Sequence, residues 1–212
     1  MNLVIESDDI TDYLKNTMII DFQNENIIEL AKYLKIGVKS EIDLIRKTYE
    51  YVRDNINHSA DVEGKVVTCK ASDVLREKEG ICYAKSHLLA ALLRGMGIPT
   101  GFCYQRLILD DDQKNYLILH GLNAIYIKKI KKWIRVDARG NKKGVDAQFS
   151  LEEEKLAFPI RKEFKEEDIP LVFVEPDANI IKALNTYETV AELFDNLPQK
   201  LEKEFIKAYS YK

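Results

Sequence analysis

A cysteine that follows a glycine turn and heads an apolar helix is the first residue of this chain with evident chemistry. Gly80-Ile81-Cys82-Tyr83-Ala84 opens a run that continues as Leu88-Leu89-Ala90-Ala91-Leu92-Leu93-Arg94-Gly95-Met96-Gly97-Ile98-Pro99. Backbone N–H groups and the helix dipole stabilise a thiolate at such a start, which makes Cys82 the nucleophile candidate. A thiol nucleophile needs a base to take its proton, and the base needs a group that orients it. The chain has three histidines. His87 lies five residues beyond Cys82, about 140° around the helix axis, and reads as a packed or surface histidine. His58 sits in a loop before the cysteine, from which it could approach the thiol. His120 begins an apolar strand, and Asp137 ends the next strand. Antiparallel strands bring the start of one close to the end of the next, so a helix N-terminus aimed at that edge completes Cys82, His120 and Asp137. Each has an ordinary alternative: a small buried thiol, a satisfied core histidine, a strand-end turn residue. Their order and placement together favour chemistry.

The elements that must position these groups follow from apolar spacing. Two helices are expected between residues 9 and 35, from Ile10, Tyr13 and Leu14 and then Ile27, Ile28, Leu30, Ala31 and Leu34. Ser40 caps a third, running to about Asn55, with Ile42, Ile45, Tyr49 and Val52 as its buried stripe. Residues 57–68 read as a loop and 70–77 as a short helix, with Glu79-Gly80 as the turn into Cys82. The helix at residues 82–96 is apolar nearly all round, the signature of a central helix, and Gly97-Ile98-Pro99 stops it. Antiparallel strands are expected at 101–109, 117–127 and 132–137, with Asp110-Asp111-Asp112-Gln113-Lys114-Asn115 as a polar connection. Glu152-Glu153-Glu154 reads as a helix start, and residues 178–196 as one last long helix ending before Pro198. The whole describes an α+β chain of one domain: a core at about 40–140, an N-terminal helical segment at 1–39 and a wrapping segment at 141–212.

Composition narrows the class. The chain has 212 residues, 32 basic and 35 acidic, and a net charge of -3, so nothing global points to nucleic acid or to an anionic membrane. The start, Met1-Asn2-Leu3-Val4-Ile5-Glu6, lacks a basic region followed by an apolar run, and no stretch approaches roughly 18 apolar residues. Three cysteines make no disulfide framework, and an odd count leaves one thiol free within a chain; a cytoplasmic location is expected. Cysteine and histidine spacings form no metal motif, and no glycine-rich phosphate loop is present, so neither metal nor cofactor is expected. Lys128-Lys129-Ile130-Lys131-Lys132 reads as a solvated hairpin tip.

The cysteine motif with its closing Gly97-Ile98-Pro99, the strand holding His120, and Trp133-Ile134-Arg135-Val136-Asp137 together resemble the transglutaminase-like superfamily over about residues 40–140. The resemblance implies a papain-like fold, a thiol nucleophile at Cys82, a general base and acid at His120 and an orienting carboxylate at Asp137. It implies an acyl-enzyme formed at an amide of a protein or peptide substrate, and the alternative of a member that keeps the fold as a binding module without catalysis. This chain has His120-Gly121-Leu122 where the family often has His-Ala-Trp, and Asp137-Ala138-Arg139 where it has Asp-Pro-Thr. An oxyanion hole needs a second donor beside the Cys82 N–H, which in transglutaminases is an upstream indole. No Trp precedes Cys82, so Asn57, His58 or another donor would have to stand in, and hydrolysis is favoured over amine transfer.

Overall fold

The computed structural model describes residues 1–108 and 116–202. The expected connection at 110–115, with the end of the strand before it, lies outside the described residues. In chain order the elements are β1 (Val4–Ile5), a 3₁₀ turn (Ile10–Leu14), α1 (Glu25–Lys35), α2 (Glu41–Asn55), β2 (Asn57–His58), a 3₁₀ turn (Ser59–Asp61), α3 (Ala71–Glu77), β3 (Glu79–Gly80) and α4 (Cys82–Gly95). There follow β4 (Thr100–Ile108), β5 (Leu117–Ile127), β6 (Lys132–Val136), a 3₁₀ turn (Lys162–Phe164), β7 (Glu167–Asp168), β8 (Leu171–Val172), α5 (Ala178–Thr186) and α6 (Val190–Asp195).

Helix starts follow the local chemistry of their caps. The side chains of Asn24 and Ser40 accept from the N–H groups of Asn26 and Asp43, satisfying donors that the first helical turn leaves free. Ile45, Tyr49 and Val52 form the buried stripe of α2 as its spacing predicts. The element predicted first is a five-residue 3₁₀ turn capped by Asp9, too short to close α-helical bonds of its own. Residues 152–154 form bends and no helix, because the Glu154 carboxylate is held away by a bidentate pair with Arg135, at 2.7 and 2.8 Å. The single long C-terminal helix is two helices. Thr189 and Glu192 make a capping box that restarts the chain as α6 after α5 has ended.

The main sheet is antiparallel, in the order β6-β5-β4-β7. One side of it packs on α4, which also touches α1, α2 and α3, so the cysteine helix sits in the middle of the molecule. Every residue of α4 from Tyr83 to Arg94 is buried. Phe102, Tyr104, Leu119, Ile125 and Ile127 join the α4 core, while Cys103, Leu122 and Ala124 pack with Tyr13 and Val172 in a second cluster. Gly97 ends α4 in the left-handed region, at φ +80°. The β5–β6 hairpin puts Lys131 at φ +51°, a conformation that glycine adopts more readily.

The wrapping segment is built into the same core. β8 pairs in parallel with β1, β7 extends the sheet along β4, and the Leu119 N–H donates to the carbonyl of Pro198 at 2.7 Å. Among the described residues, no helix is long and apolar enough to cross a membrane.

Candidate active site

Cys82 is the first residue of α4. It is half-buried, whereas Cys69 and Cys103 are buried, and all three thiols are free. Burial pushes the Cys69 thiol up to about 11 and the Cys103 thiol up to about 12, so neither competes as a thiolate near neutrality. The first turn of α4 carries no acidic residue to oppose a thiolate at its head.

His120 lies inside β5, not at its start, and Asp137 directly follows β6. The β5–β6 register pairs Asn123 with Val136, which leaves His120 and Asp137 as near neighbours on adjacent strands. His120 Nε2 and Asp137 Oδ2 are 2.7 Å apart, with both side chains buried. Asp137 also accepts the Arg139 N–H at 3.0 Å and the Ala157 N–H at 3.1 Å, and its carbonyl accepts the Tyr49 hydroxyl at 3.0 Å. Burial opposes the Asp137 charge, but His120 and these backbone donors outweigh it and hold the carboxyl below its ordinary value.

With Nε2 donating to Asp137, Nδ1 of His120 is left for another partner, and the Cys82 side chain is near enough to act on the ring's charge. Burial alone would keep the imidazole neutral. Asp137 and Cys82 reverse that and push it up to about 10. The His120 imidazole is therefore held in its protonated form at neutral pH. The edge of the ring is fixed by Phe158, whose centroid lies 5.0 Å away at 85°.

The two residues left open for the loop are separated by the fold. β2 and β3 pair in parallel, with Asn57 opposite Glu79 and His58 opposite Gly80. Alternation along β2 then sends Asn57 to solvent and buries His58. The Cys82 N–H donates to His58 Nε2 at 3.2 Å, and the Ala60 N–H to Nδ1 at 3.4 Å. Residues 57–68, expected as a plain loop, therefore begin with a strand whose pairing carries a histidine to the cysteine amide. A Cβ at Gly80 would lie 2.9 Å from both Ala84 Cβ and Thr68 Oγ1, so glycine is what permits that approach.

His87 takes the ordinary role foreseen for it. It is buried, with Nδ1 2.8 Å from the Cys69 carbonyl oxygen, and burial lowers it to about 4. Lys85, Asp61 and Arg139 complete the site and were not foreseen. Lys85 is wholly buried, donates to the carbonyls of Arg53 and Ile56 and is lowered by burial to about 7. Arg139 pairs with Asp61, which also accepts from Lys142 at 3.0 Å. The signal for Lys85 was a cation in the first turns of a largely apolar helix. For Arg139 it was a charged residue just past a strand-end aspartate. Among the described residues, no group of three or more His, Cys, Asp or Glu is placed to hold a metal ion.

Gly121, where the family often has alanine, has a reason in the packing. A Cβ there would come within 2.7 Å of Tyr83 Cδ1, and the Tyr83 hydroxyl donates to the Leu119 carbonyl. The residue after the cysteine and the residue after the histidine are fitted to one another.

The profile described as the transglutaminase-like superfamily matches residues 28–138, just over half of the chain. No curated protein matches. Fifteen chains of solved structure do. One is a candidate cysteine protease from Cytophaga hutchinsonii, 19% identical with a TM-score of 0.52, over 63% of this chain and 43% of that one. This is a likeness of fold, and the chain spans less than half the length of that protein. Another, described as a TGase, is 16% identical with a TM-score of 0.40, over 62% of this chain and 33% of that one.

Proposed function

Because the chain belongs to the transglutaminase-like superfamily, a family of thiol enzymes, we propose that it hydrolyses an amide of a peptide or protein through Cys82, His120 and Asp137. The observation that carries this reading is the buried 2.7 Å contact between His120 and Asp137, with Cys82 at a helix head near enough to act on the ring's charge. The Cys82 thiolate attacks the amide carbon, and the C=O electron pair moves onto oxygen. As the C–N bond breaks, the imidazolium of His120 gives its proton to the departing amine, leaving a thioester on Cys82. Water then attacks the thioester while His120 takes its proton. The C–S bond breaks, and the carboxylic acid leaves. Asp137 holds the ring with Nδ1 toward sulfur and stabilises its positive form. Hydrolysis is favoured over amine transfer because no indole stands upstream of Cys82.

The test is the pH dependence of iodoacetamide labelling at Cys82. Wild type should label at Cys82 alone, with an onset well below the ordinary thiol value of about 8.5. His120→Ala should raise that onset. Slow labelling that tracks an ordinary thiol, unchanged in His120→Ala, would favour the non-catalytic binding module. Turnover of an amide substrate that survives Cys82→Ala would remove Cys82 as the nucleophile.

A further inference from the structure

The Cys82 amide, which must receive the developing oxyanion, is covered at 3.2 Å by the Nε2 of a buried histidine. That histidine is not the base, because His120 takes the Asp137 carboxylate. We propose that His58 supplies the second oxyanion donor, its Nε2–H acting beside the Cys82 N–H where transglutaminases use an indole. This rests on the reading of Cys82 as nucleophile.

The argument is one of lone pairs and protons. A neutral imidazole has one acceptor nitrogen and one donor nitrogen. In the resting structure two backbone N–H groups approach the ring, Cys82 at Nε2 and Ala60 at Nδ1, and a neutral ring can accept only one of them. When a carbonyl oxygen takes over the Cys82 N–H, the Ala60 N–H is the remaining claim on a lone pair, and its claim is at Nδ1. The ring proton then sits on Nε2. The change of tautomer gives the Nδ1 proton to solvent water and takes one back at Nε2, leaving the ring neutral. The two nitrogens are 3.2 Å apart, close enough for one oxygen to lie about 2.9 Å from both.

The surroundings hold the ring in this role. β2 is tied to β3 opposite Gly80, Lys85 holds the carbonyl of Ile56 just before it, and the Asp61–Arg139 pair anchors the turn just after it. Burial, Arg139, Lys85 and His120 all disfavour a charged His58 ring, and together they outweigh Asp61, so the ring stays neutral well below the ordinary histidine range. A neutral ring keeps a lone pair in the resting state and an N–H for the oxyanion.

The experiment compares acylation with alkylation. p-Nitrophenyl acetate passes through an oxyanion, whereas iodoacetamide loses iodide without one. In His58→Ala, the p-nitrophenolate burst should slow at least about tenfold, while Cys82 alkylation at pH 7 stays close to wild type. His58→Gln keeps an N–H donor and should recover most of the loss. A burst unchanged in His58→Ala, or alkylation that falls in step with it, overturns the proposal. If wild type gives no more p-nitrophenolate than Cys82→Ala, the nucleophile reading fails and this proposal fails with it. Wild-type protein provides a check that needs no variant: ¹⁵N spectra should show a neutral His58 ring from pH 5 to 8. An imidazolium at pH 6 overturns the assignment, since it has no lone pair for the Cys82 N–H.

Discussion

His120 and Lys85 titrate in opposite senses in one buried cluster around Asp137, and the two effects should mask each other. His120 is raised from 6.5 to about 10. Its contribution to stability is complete below about 6.5 and is lost as pH rises toward 10. Lys85 is lowered from 10.5 to about 7, so the folded state releases its proton first and stability rises over pH 7 to 10. A neutral amine still has two N–H bonds for the carbonyls of Arg53 and Ile56. Each slope is at most about 1.4 kcal/mol per pH unit. Urea unfolding from pH 7 to 8, below the range in which the raised Cys69 and Cys103 thiols add a slope of their own, should therefore show a flat wild type, a rising His120→Asn and a falling Lys85→Met. Parallel curves for all three would show that neither group is shifted. Cys82 could be placed from the sequence because it heads an apolar helix, and Asp137 because it closes a strand, whereas His120 falls inside β5 and not at the start expected for it. His58 could not be told from Asn57, since only the β2–β3 pairing decides which of two adjacent residues turns inward. Lys85 was hidden because the carbonyls it serves lie 29 and 32 residues upstream.

At the scale of elements, the contact between β5 and α4 sets the distance from histidine to cysteine, and it depends on a missing side chain. Gly121→Ala would bring a Cβ within 2.7 Å of the Tyr83 ring and 3.4 Å of the Tyr83 Cα, so the helix head must move or the ring must turn. Such overpacking costs about 1–3 kcal/mol. The expected result is that loss in urea unfolding together with slower Cys82 alkylation, because the strain falls beside the thiol. Tyr83→Leu in the same chain should return part of both, and the coupling appears as non-additivity in a double-mutant cycle. An additive pair would show that β5 and α4 do not meet through these two residues. Helices α1 and α2 were legible because their caps and apolar stripes are local, and α4 because it is apolar nearly all round and stopped by Gly97-Ile98-Pro99. The two-residue strands were not, since each exists only through a partner far away in the chain. The break between α5 and α6 was legible in principle, as Thr189 and Glu192 have capping-box spacing, but the continuous apolar pattern across it masks the restart.

At the scale of the molecule, Arg94 explains why the segments outside the matched core are parts of one structure. Its side chain is fully buried at the end of α4, and it donates to the carbonyls of Thr100 at 2.9 Å, Lys15 at 3.1 Å and Val174, with the Glu175 carboxylate at 3.4 Å. Those carbonyls belong to the start of β4, the N-terminal segment and the wrapping segment. One guanidinium thus closes three chain ends around the base of the cysteine helix. Phe102 stacks on it, with Arg94 Cζ 5.4 Å from the ring centroid. A buried cation is costly to desolvate, but removing it from a site built for it is worse, because its carbonyl partners stay buried without donors. Arg94→Met keeps the length of the side chain and removes every donor. It should cost about 3–5 kcal/mol in urea unfolding. Proteolysis under native conditions should then cut first on either side of Lys15 or Val174, where the ties are lost. Cys82 labelling in the fraction still folded should keep its pH onset, because Arg94 sits at the opposite end of α4 from the thiol. A loss below about 1 kcal/mol would mean that water replaces the guanidinium at little cost, and that strand pairing and apolar packing hold the three segments without it.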